Sequence, residues 1–261
     1  MSHPLENAAL LLVDIQADFL LGGALACHQA DRILPGVKQL VDKYANHTHT
    51  TIHNTLEPNA LEQKQNSLEQ HSTEQNQVTT RQKQLNQQTS LARFNCMVAT
   101  QDWHPAGHIS FASSHPGRNP FELIALYDQE QTLWPDHCVS GTHGASFSEE
   151  INWDAMNLII RKGSNPRVDS YSAFRENFGP DGQRPSTGLS GYLRERGVQN
   201  VYIAGLARDF CVLWSAQDAQ HLGFQAYIIW DLCAPVSPDS DADIRQRCET
   251  LGIGIVYSSE L

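Results

Sequence analysis

Side chains that could carry out chemistry stand at the ends of four segments rich in Leu, Ile, Val and Ala. Asp14 follows AALLLV, and Lys162 follows NLIIR. Asp102 directly follows NCMVATQ, and His104 is two residues further along. The run NVYIAGL precedes the turn that contains Cys211. Such runs, with little polar alternation, are typical of strands buried on both faces of a parallel sheet. Doubly wound α/β sheets bind ligands beyond the carboxyl ends of their strands. We therefore expect two carboxylates, an imidazole, an ammonium and a thiol to meet at one edge of the sheet.

The position of Cys211 in GLARDFCVLW favours a nucleophile over the buried apolar role that most free cysteines have. Asp209 is a suitable N-cap residue, which would place Cys211 in the first turn of a helix, where the dipole favours a thiolate. Lys162 would favour the thiolate further, and Asp14 could accept the thiol proton. For the remaining cysteines we expect a packing role; these are Cys27, Cys96, Cys138, Cys233 and Cys248.

Asp102 and His104 are two positions apart, so an extended chain places both side chains on one face. A carboxylate and an imidazole there could hold a divalent metal ion together with one more ligand. His137 in LWPDHCVSG is our candidate for that ligand, and His108 is a lower-ranked one. A set of two histidines and one carboxylate suits Zn, Fe or Mn and leaves coordination positions open for water or substrate.

Strand-like and helical patterns alternate along the chain, which predicts a doubly wound α/β fold. The sequence therefore predicts a single three-layer α/β/α domain over 1–261, with a mainly parallel sheet of about six strands. The predicted strands cover 8–14, 95–102, 157–163, 200–206, 224–231 and 252–258. The predicted helices cover 31–45, 186–197, 211–223 and 241–252.

Residues 46–90 interrupt this alternation between the first helix and the second strand. The segment is rich in Gln, Asn, Thr and His, and its few apolar residues include Leu61, Leu68 and Leu85. Such a composition buries too little apolar surface to order itself. We expect a mobile insertion, with a weak surface helix or an interaction segment as alternatives.

Charge and composition exclude several classes of protein. The formal net charge is −11 and no basic run is present, so we expect no nucleic-acid partner. Neither a signal peptide nor an apolar run long enough to span a membrane is recognisable. The six cysteines form no CxxC motif, which favours free thiols in a reducing compartment. We expect a cytoplasmic protein that acts on a small molecule, and leave open whether it forms a homo-oligomer.

Five segments resemble, in order, the motifs of the nicotinamidases (pyrazinamidases) of the isochorismatase-like hydrolase superfamily. They are LLLVDIQADFLLGGALA, ATQDWHPAGHISFASSHPG, LWPDHCVSGTHGASF, IIRKGSNPRVDSYSAF and GLARDFCV. Together they span the chain apart from residues 46–90. The resemblance implies hydrolysis of nicotinamide, and also of pyrazinamide, to the acid and ammonia, a reaction that feeds NAD salvage.

The resemblance also implies roles for individual residues. The catalytic triad of the family falls on Asp14, Lys162 and Cys211. The ligands of its single divalent metal ion fall on Asp102, His104 and His137. For that ion we expect Zn, with Fe or Mn as alternatives.

The family pattern further implies a cis peptide bond between Leu206 and Ala207. That bond would direct the N–H groups of Ala207 and Cys211 at an oxyanion. Walls for the pyridine ring fall on Phe19, Trp134 and Tyr171.

Two features depart from the family pattern. Arg208 stands where a small hydroxyl residue is common, and we expect its side chain to point outward. The insertion at 46–90 is also atypical. Three alternatives stay open: a carbamoyl or ureide amidohydrolase, which would share the triad but not need the metal; an isochorismatase, which would not need the thiol; and a non-enzymatic binding protein.

Overall fold

A parallel six-stranded sheet forms the centre of the molecule. The computed structural model describes residues 5–45 and 93–261, so the predicted insertion at 46–90 lies outside the described residues. The strands of the main sheet, in chain order, are β1 (Ala8–Val13), β2 (Cys96–Asp102), β5 (Leu158–Lys162), β6 (Asn200–Leu206), β7 (Gln225–Ala234) and β8 (Gly254–Val256). The sheet order is β5-β2-β1-β6-β7-β8, and every neighbouring pair is parallel.

Helices cover the sheet, and the fold class is the predicted α/β/α architecture. They are α1 (Leu34–Ala45), α2 (Leu189–Glu195), α3 (Leu213–His221) and α4 (Asp241–Leu251). A 3-10 turn at Ala30–Ile33 precedes α1, and a π-helical turn at Arg208–Val212 precedes α3. The predicted helices therefore exist, with ends shifted by a few residues. No helix among the described residues is long and apolar enough to cross a membrane.

A short antiparallel hairpin, β3 (Leu123–Leu126) with β4 (Gln129–Thr132), is a feature that the sequence did not predict. Tyr127 and Asp128 connect its strands with positive φ angles of 52° and 61°. Hairpin turns that need positive φ usually carry Gly or Asn, and this one has neither. The strands are also short and mostly exposed, so no buried apolar pattern marks them.

The order of the strands places the functional edge of the sheet. Successive strands extend from β1 through β2 to β5 on one side, and the chain then crosses to β6 on the other side of β1. Such a reversal creates a crevice at the carboxyl ends of the two central strands. Gly205, with a φ of 120°, is required at this junction because a Cβ atom there would lie 2.1 Å from the carbonyl oxygen of Val13.

Candidate active site

Lys162 is the centre of a buried polar cluster at this crevice. It is 1% exposed, and its Nζ lies 2.9 Å from Asp14 Oδ2, 3.1 Å from Asp102 Oδ1 and 3.5 Å from Cys211 Sγ. It also donates to the carbonyl oxygen of Ser170 at 2.8 Å. Burial opposes the charge of Lys162, but the surrounding anionic groups outweigh burial and hold its pKa well above the ordinary value. Lys162 is therefore a permanent ammonium that links the two carboxylates to the thiol.

Asp14 is fully buried at the end of β1 and adopts a φ of 48°. Its Oδ1 accepts a hydrogen bond from Thr100 Oγ1 at 2.7 Å, and its backbone N–H donates to the same hydroxyl at 3.2 Å. Burial raises the pKa of Asp14, while the attraction of Lys162 and the hydroxyl of Thr100 oppose the increase. Asp14 is therefore a carboxylate with increased basicity next to the thiol. The sequence did not predict the role of Thr100.

Cys211 is a buried thiol whose pKa lies well above the ordinary value. Burial is the largest cause and Asp14 adds to it, whereas Lys162 lowers the pKa. Desolvation of the charged form therefore acts against the thiolate that the helix N-terminus and Lys162 favour. A thiol with a raised pKa needs an adjacent base, and Asp14 is hydrogen-bonded to it.

The sequence predicted Asp209 as the N-cap of the helix that carries Cys211, and this prediction is wrong. The residue that precedes the π-helical turn is Ala207, and it has no side-chain capping bond. The carboxylate of Asp209 instead accepts hydrogen bonds from the backbone N–H groups of Val236 and Ser237 at 2.8 and 2.9 Å. Asp209 thus connects the turn of the thiol to the loop after β7.

The turn between β6 and Cys211 has the conformation that the family resemblance implied. The peptide bond between Leu206 and Ala207 is cis. Both Ala207 and Cys211 line the cavity in front of the thiol. The backbone between the strand and the nucleophile therefore borders the space in which a substrate would react.

Asp102, His104 and His137 form the second part of the site. All three are at most 4% exposed, and their candidate ligand atoms lie within 4.8 Å of one another. Asp102 Oδ2 lies 2.9 Å from His104 Nε2 and 3.4 Å from His137 Nε2. The Nδ1 atoms of His104 and His137 lie 2.9 and 2.8 Å from the carbonyl oxygens of Gly163 and Pro135. A carbonyl can only accept, so each Nδ1 carries a proton and each Nε2 faces Asp102.

This cluster attracts positive charge. Burial opposes protonation of His104, but Asp102 outweighs burial and raises the pKa of His104. Burial likewise acts against the charge of Asp102, but His104 and Lys162 keep the pKa of Asp102 well below its ordinary value. Hydrogen bonds from metal-binding imidazoles to backbone carbonyls are the usual outer support of such ligands. The three side chains are therefore chemically suited to a divalent cation.

His108, the lower-ranked candidate ligand, is differently engaged. Its Nδ1 lies 2.7 Å from Ser110 Oγ, and its Nε2 lies 2.9 Å from the carbonyl oxygen of Asn165. Its ring packs against that of His104 with a centroid distance of 4.3 Å. Both nitrogens of His108 thus have protein partners, and the residue supports His104 by packing.

Gln16 and Asp18 support the candidate metal ligands Asp102 and His137 through backbone hydrogen bonds. The sequence did not assign them a role. Gln16 Nε2 donates to the carbonyl oxygen of Asp102, and Gln16 Oε1 accepts from the N–H of Asp102 at 2.7 Å. Asp18 Oδ2 accepts from the N–H of Cys138 at 2.7 Å, next to His137. Both residues lie in the segment DIQADF, so the motif that provides Asp14 also orients the ligands from two other segments.

The cavity beside the thiol is lined mainly by aromatic and other apolar side chains. Its empty volume is about 330 Å³ including the mouth. The three predicted ring-binding residues all line it; they are Phe19, Trp134 and Tyr171. Phe210, Leu25 and Val236 line it as well, together with Asp102, His137 and Asp169. The sequence did not predict these three apolar residues or Asp169.

Arg208 does not point outward, contrary to expectation. It is 7% exposed, and its guanidinium donates to the carbonyl oxygens of Trp230 and Cys233 and pairs with Asp241. The guanidinium also stacks on the ring of Trp230, 4.1 Å from the centroid. Arg208 therefore extends towards β7 and α4, away from the cavity of the thiol, and connects the catalytic turn to those elements.

Sequence comparisons identify related proteins. The sequence model of the isochorismatase domain family matches residues 8–252 of this chain. A nicotinamidase of Acinetobacter baylyi is 38% identical over 88% of this chain and 83% of its own length. A nicotinamidase of Escherichia coli is 34% identical over 88% of this chain and 84% of its own length.

Similar folds are found among solved structures. A nicotinamidase and pyrazinamidase of Acinetobacter baumanii is 37% identical, with a TM-score of 0.73 and 97% of each chain covered. A protein of L. infantum in complex with nicotinate is 28% identical, with a TM-score of 0.70, covering 100% of this chain and 98% of that one. A pyrazinamidase of Pyrococcus horikoshii in complex with zinc is 27% identical, with a TM-score of 0.62 and coverage of 96% and 99%. The chain belongs to the isochorismatase family, and its relatives there include nicotinamidases.

Proposed function

We infer that the protein is a nicotinamidase, which hydrolyses nicotinamide to nicotinate and ammonia and also accepts pyrazinamide. The observation that carries the proposal is one buried ammonium in contact with both a thiol and a carboxylate beside a small aromatic cavity. The identity of 38% and 34% to two nicotinamidases supports the same reaction. Turnover of nicotinamide would place the enzyme in NAD salvage, and we propose the cytoplasm as its location.

The first chemical step is formation of a thioester at Cys211. Asp14 takes the thiol proton, and Sγ forms a bond to the carboxamide carbon while the carbonyl π electrons move to oxygen. The N–H groups of Ala207 and Cys211 stabilise the oxyanion. Lys162, 3.5 Å from Sγ, offsets the negative charge that passes from Asp14 to the sulfur.

Release of ammonia and hydrolysis complete the cycle. The oxyanion collapses, the C–N bond breaks, and Asp14 gives its proton to the departing nitrogen, which leaves a thioester. Asp14 then removes a proton from water, whose oxygen attacks the thioester carbon and expels the sulfur as a thiolate, and the thiolate takes that proton back from Asp14. The raised pKa of Asp14 suits both steps. A group that takes and returns a proton works best when its own pKa lies near the ambient pH.

Aromatic side chains hold the pyridine ring. Phe19 and Trp134 provide apolar surface on the cavity wall. The hydroxyl of Tyr171 accepts hydrogen bonds from Trp134 Nε1 at 3.1 Å and from Gln131 Nε2 at 3.0 Å. These bonds fix the ring of Tyr171 and the indole relative to each other, so the cavity keeps its shape when it is empty.

Asp102, His104 and His137 would hold one divalent metal ion, for which zinc is our first proposal. Two neutral imidazoles and a carboxylate fit zinc, and the inward-facing Nε2 atoms are the ligand atoms that such a site needs. When bound, the ion supplies a Lewis acid that anchors the ring nitrogen of the substrate, directly or through water. The contribution of the chain is a buried, pre-oriented set of ligands at the end of the cavity.

The reaction is tested by measuring ammonia release from nicotinamide in a coupled assay, with metal analysis of the same sample. We expect turnover and about one divalent ion per chain. The Cys211→Ala variant is the control for contaminating amidase. Ammonia release from carbamoyl substrates but not from nicotinamide, in protein without stoichiometric metal, would contradict the proposal and favour a carbamoyl amidohydrolase.

We also propose that residues 1–261 form one catalytic domain, with 46–90 as an insertion. All proposed site residues lie in the two described ranges. The strand before the insertion provides Asp14 and the strand after it provides Asp102, and these strands are direct neighbours in the sheet. The insertion therefore belongs to the connection between two neighbouring strands, after α1, and adds none of the proposed chemistry.

A further inference from the structure

Asp169 is a third carboxylate of the site, and the mechanism above does not use it. It is 3% exposed and lines the cavity together with Asp102 and His137. Its Oδ1 accepts from the N–H of Ser170 at 2.8 Å, and its Oδ2 accepts from Gln131 Nε2 at 2.9 Å. Both donors are neutral, and within the described residues Asp169 forms no ion pair. A buried carboxylate that has only neutral hydrogen-bond donors and no ion pair requires a nearby positive charge.

The buried charges around the cavity do not balance within the protein. Asp14 and Lys162 touch the thiol, and Asp102 and Asp169 line the cavity. With neutral imidazoles, which metal binding requires, three negative charges stand against one positive charge, a net charge of −2. One divalent cation at the cluster of Asp102 would neutralise this set. The proposed triad is neutral as a set and a divalent ion on Asp102 leaves one positive charge, which the charge of Asp169 balances.

Asp169 lies beside His104, one of the proposed ligands, and borders the same cavity as Asp102 and His137. A carboxylate oxygen of Asp169 lies within 4.8 Å of a ring nitrogen of His104 and of His108. Direct zinc–oxygen bonds are about 2.0–2.2 Å long, and Gln131 and Ser170 already orient the two oxygens. Asp169 is thus a fixed carboxylate beside the imidazole of His104, outside the proposed ligand set.

We propose that Asp169 is a positioning residue of the metal site, which strengthens divalent-cation binding through its charge and accepts a hydrogen bond from water or substrate on the open side of the ion. The inference rests on the proposed metal site of the nicotinamidase. Gln131, which bonds to both Asp169 and Tyr171, links this outer carboxylate to the wall that holds the ring.

The test measures metal binding in the absence of turnover. Metal-depleted full-length protein is titrated with Zn²⁺ against a chromophoric chelator, and its Co²⁺ form is examined by visible absorption. Asp169→Asn should weaken Zn²⁺ binding by about 10–100-fold, as loss of an outer-shell partner does, and should alter the Co²⁺ spectrum. Asp169→Ser, which keeps an oxygen near the N–H of Ser170, provides a second variant if the first does not fold.

Asp181→Asn is the matched control, because it removes one carboxylate from an exposed loop position. It should leave both the Zn²⁺ affinity and the Co²⁺ spectrum unchanged. Wild-type affinity and spectrum in a folded Asp169 variant, with His137→Ala defective, would overturn the role of Asp169 alone. Failure of the wild type to bind Zn²⁺, or full binding by His137→Ala, would overturn the metal site and this inference together, whereas the ammonia assay tests the reaction separately.

Discussion

Replacement of Thr100 by Val tests whether Asp14 is the base. The hydroxyl of Thr100 donates to Asp14 Oδ1 at 2.7 Å in a fully buried setting. Valine has nearly the same shape as threonine and removes that donor, together with one acceptor of the Asp14 backbone N–H. The backbone N–H of Asp14 keeps the carbonyl oxygen of Thr100 as an acceptor at 3.3 Å, so the substitution acts mainly on the carboxylate.

The magnitude follows from the strength of a hydrogen bond to a charged group, about 1.5–3 kcal/mol. The bond stabilises the ionised carboxylate, so its loss raises the pKa of Asp14 further above the ordinary value. At about 1.4 kcal/mol per pH unit, the change amounts to about one to two units. The ionised form is the base, so activity disappears as the pH falls through this pKa. The acid limb of the profile should therefore move to higher pH.

The assay is kcat/KM for nicotinamide as a function of pH, measured by ammonia release. Thr100→Ser keeps a hydroxyl and is the matched control, so its acid limb should stay close to that of the wild type. Because Asp14, Lys162 and Cys211 interact closely, the limb reports the set as a whole, but its displacement has the same sign. An unchanged acid limb in a folded, metal-loaded Thr100→Val variant would refute Asp14 as the base.

Three further predictions concern the nucleophile, the metal ligands and the insertion. Cys211→Ala should lower turnover by several orders of magnitude while calorimetry still detects nicotinamide binding. A Cys211→Ala rate within tenfold of wild type would refute the assignment. The control is Cys248→Ala, at a packed cysteine outside the cavity, which should retain activity. His137→Ala should lose the divalent ion but keep its circular dichroism, and full metal content in that variant would count against the ligand set. Deletion of 50–90 with a short Gly/Ser linker should preserve kcat/KM; a variant that cannot fold would indicate that the segment packs on the domain.

The strands and the reactive residues at their ends could be predicted because they depend on local patterns. AALLLV and VYIAGL are uniformly buried in the structure, and a polar residue that directly follows such a run marks the end of a strand. Asp14, Asp102 and Lys162 were found in this way. The run before Lys162 was expected to be buried on both faces, but it forms an edge strand that is partly exposed. The sheet order was not predicted, because the crossing from β5 to β6 breaks the preference of consecutive strands to be neighbours.

The supporting partners could not be predicted, because their identity depends on which segments meet in three dimensions. Thr100 is 86 positions from Asp14, and Gln131 is 38 from Asp169. Gln131 also belongs to a hairpin without the usual turn residues. No local pattern indicates such pairs, and an isolated Thr or Gln carries no chemical signal of its own.

The burial of Cys211 was not predicted, for a related reason. Its place at the start of a helix is visible in the sequence, but its degree of burial is not. A helix dipole at a partly exposed position contributes about 0.3–1 kcal/mol, whereas removal of a thiolate from water opposes ionisation far more strongly. Arg208 was misplaced similarly, because the carbonyl acceptors in β7 that retain it are more than twenty positions away.

The register of the sheet brings these residues, which are far apart in the sequence, into contact at one site. Asp102 and Lys162 are directly paired between β2 and β5, and Val13 is paired with Gly205 between β1 and β6. A shift by one residue would turn Asp102 or Lys162 to the opposite face of the sheet. The apolar runs that bury the strands therefore also determine which polar residues meet beyond their ends. Lys162, which contacts Asp14, Asp102 and Cys211 at once, could do so only on a strand held in this register by its neighbours.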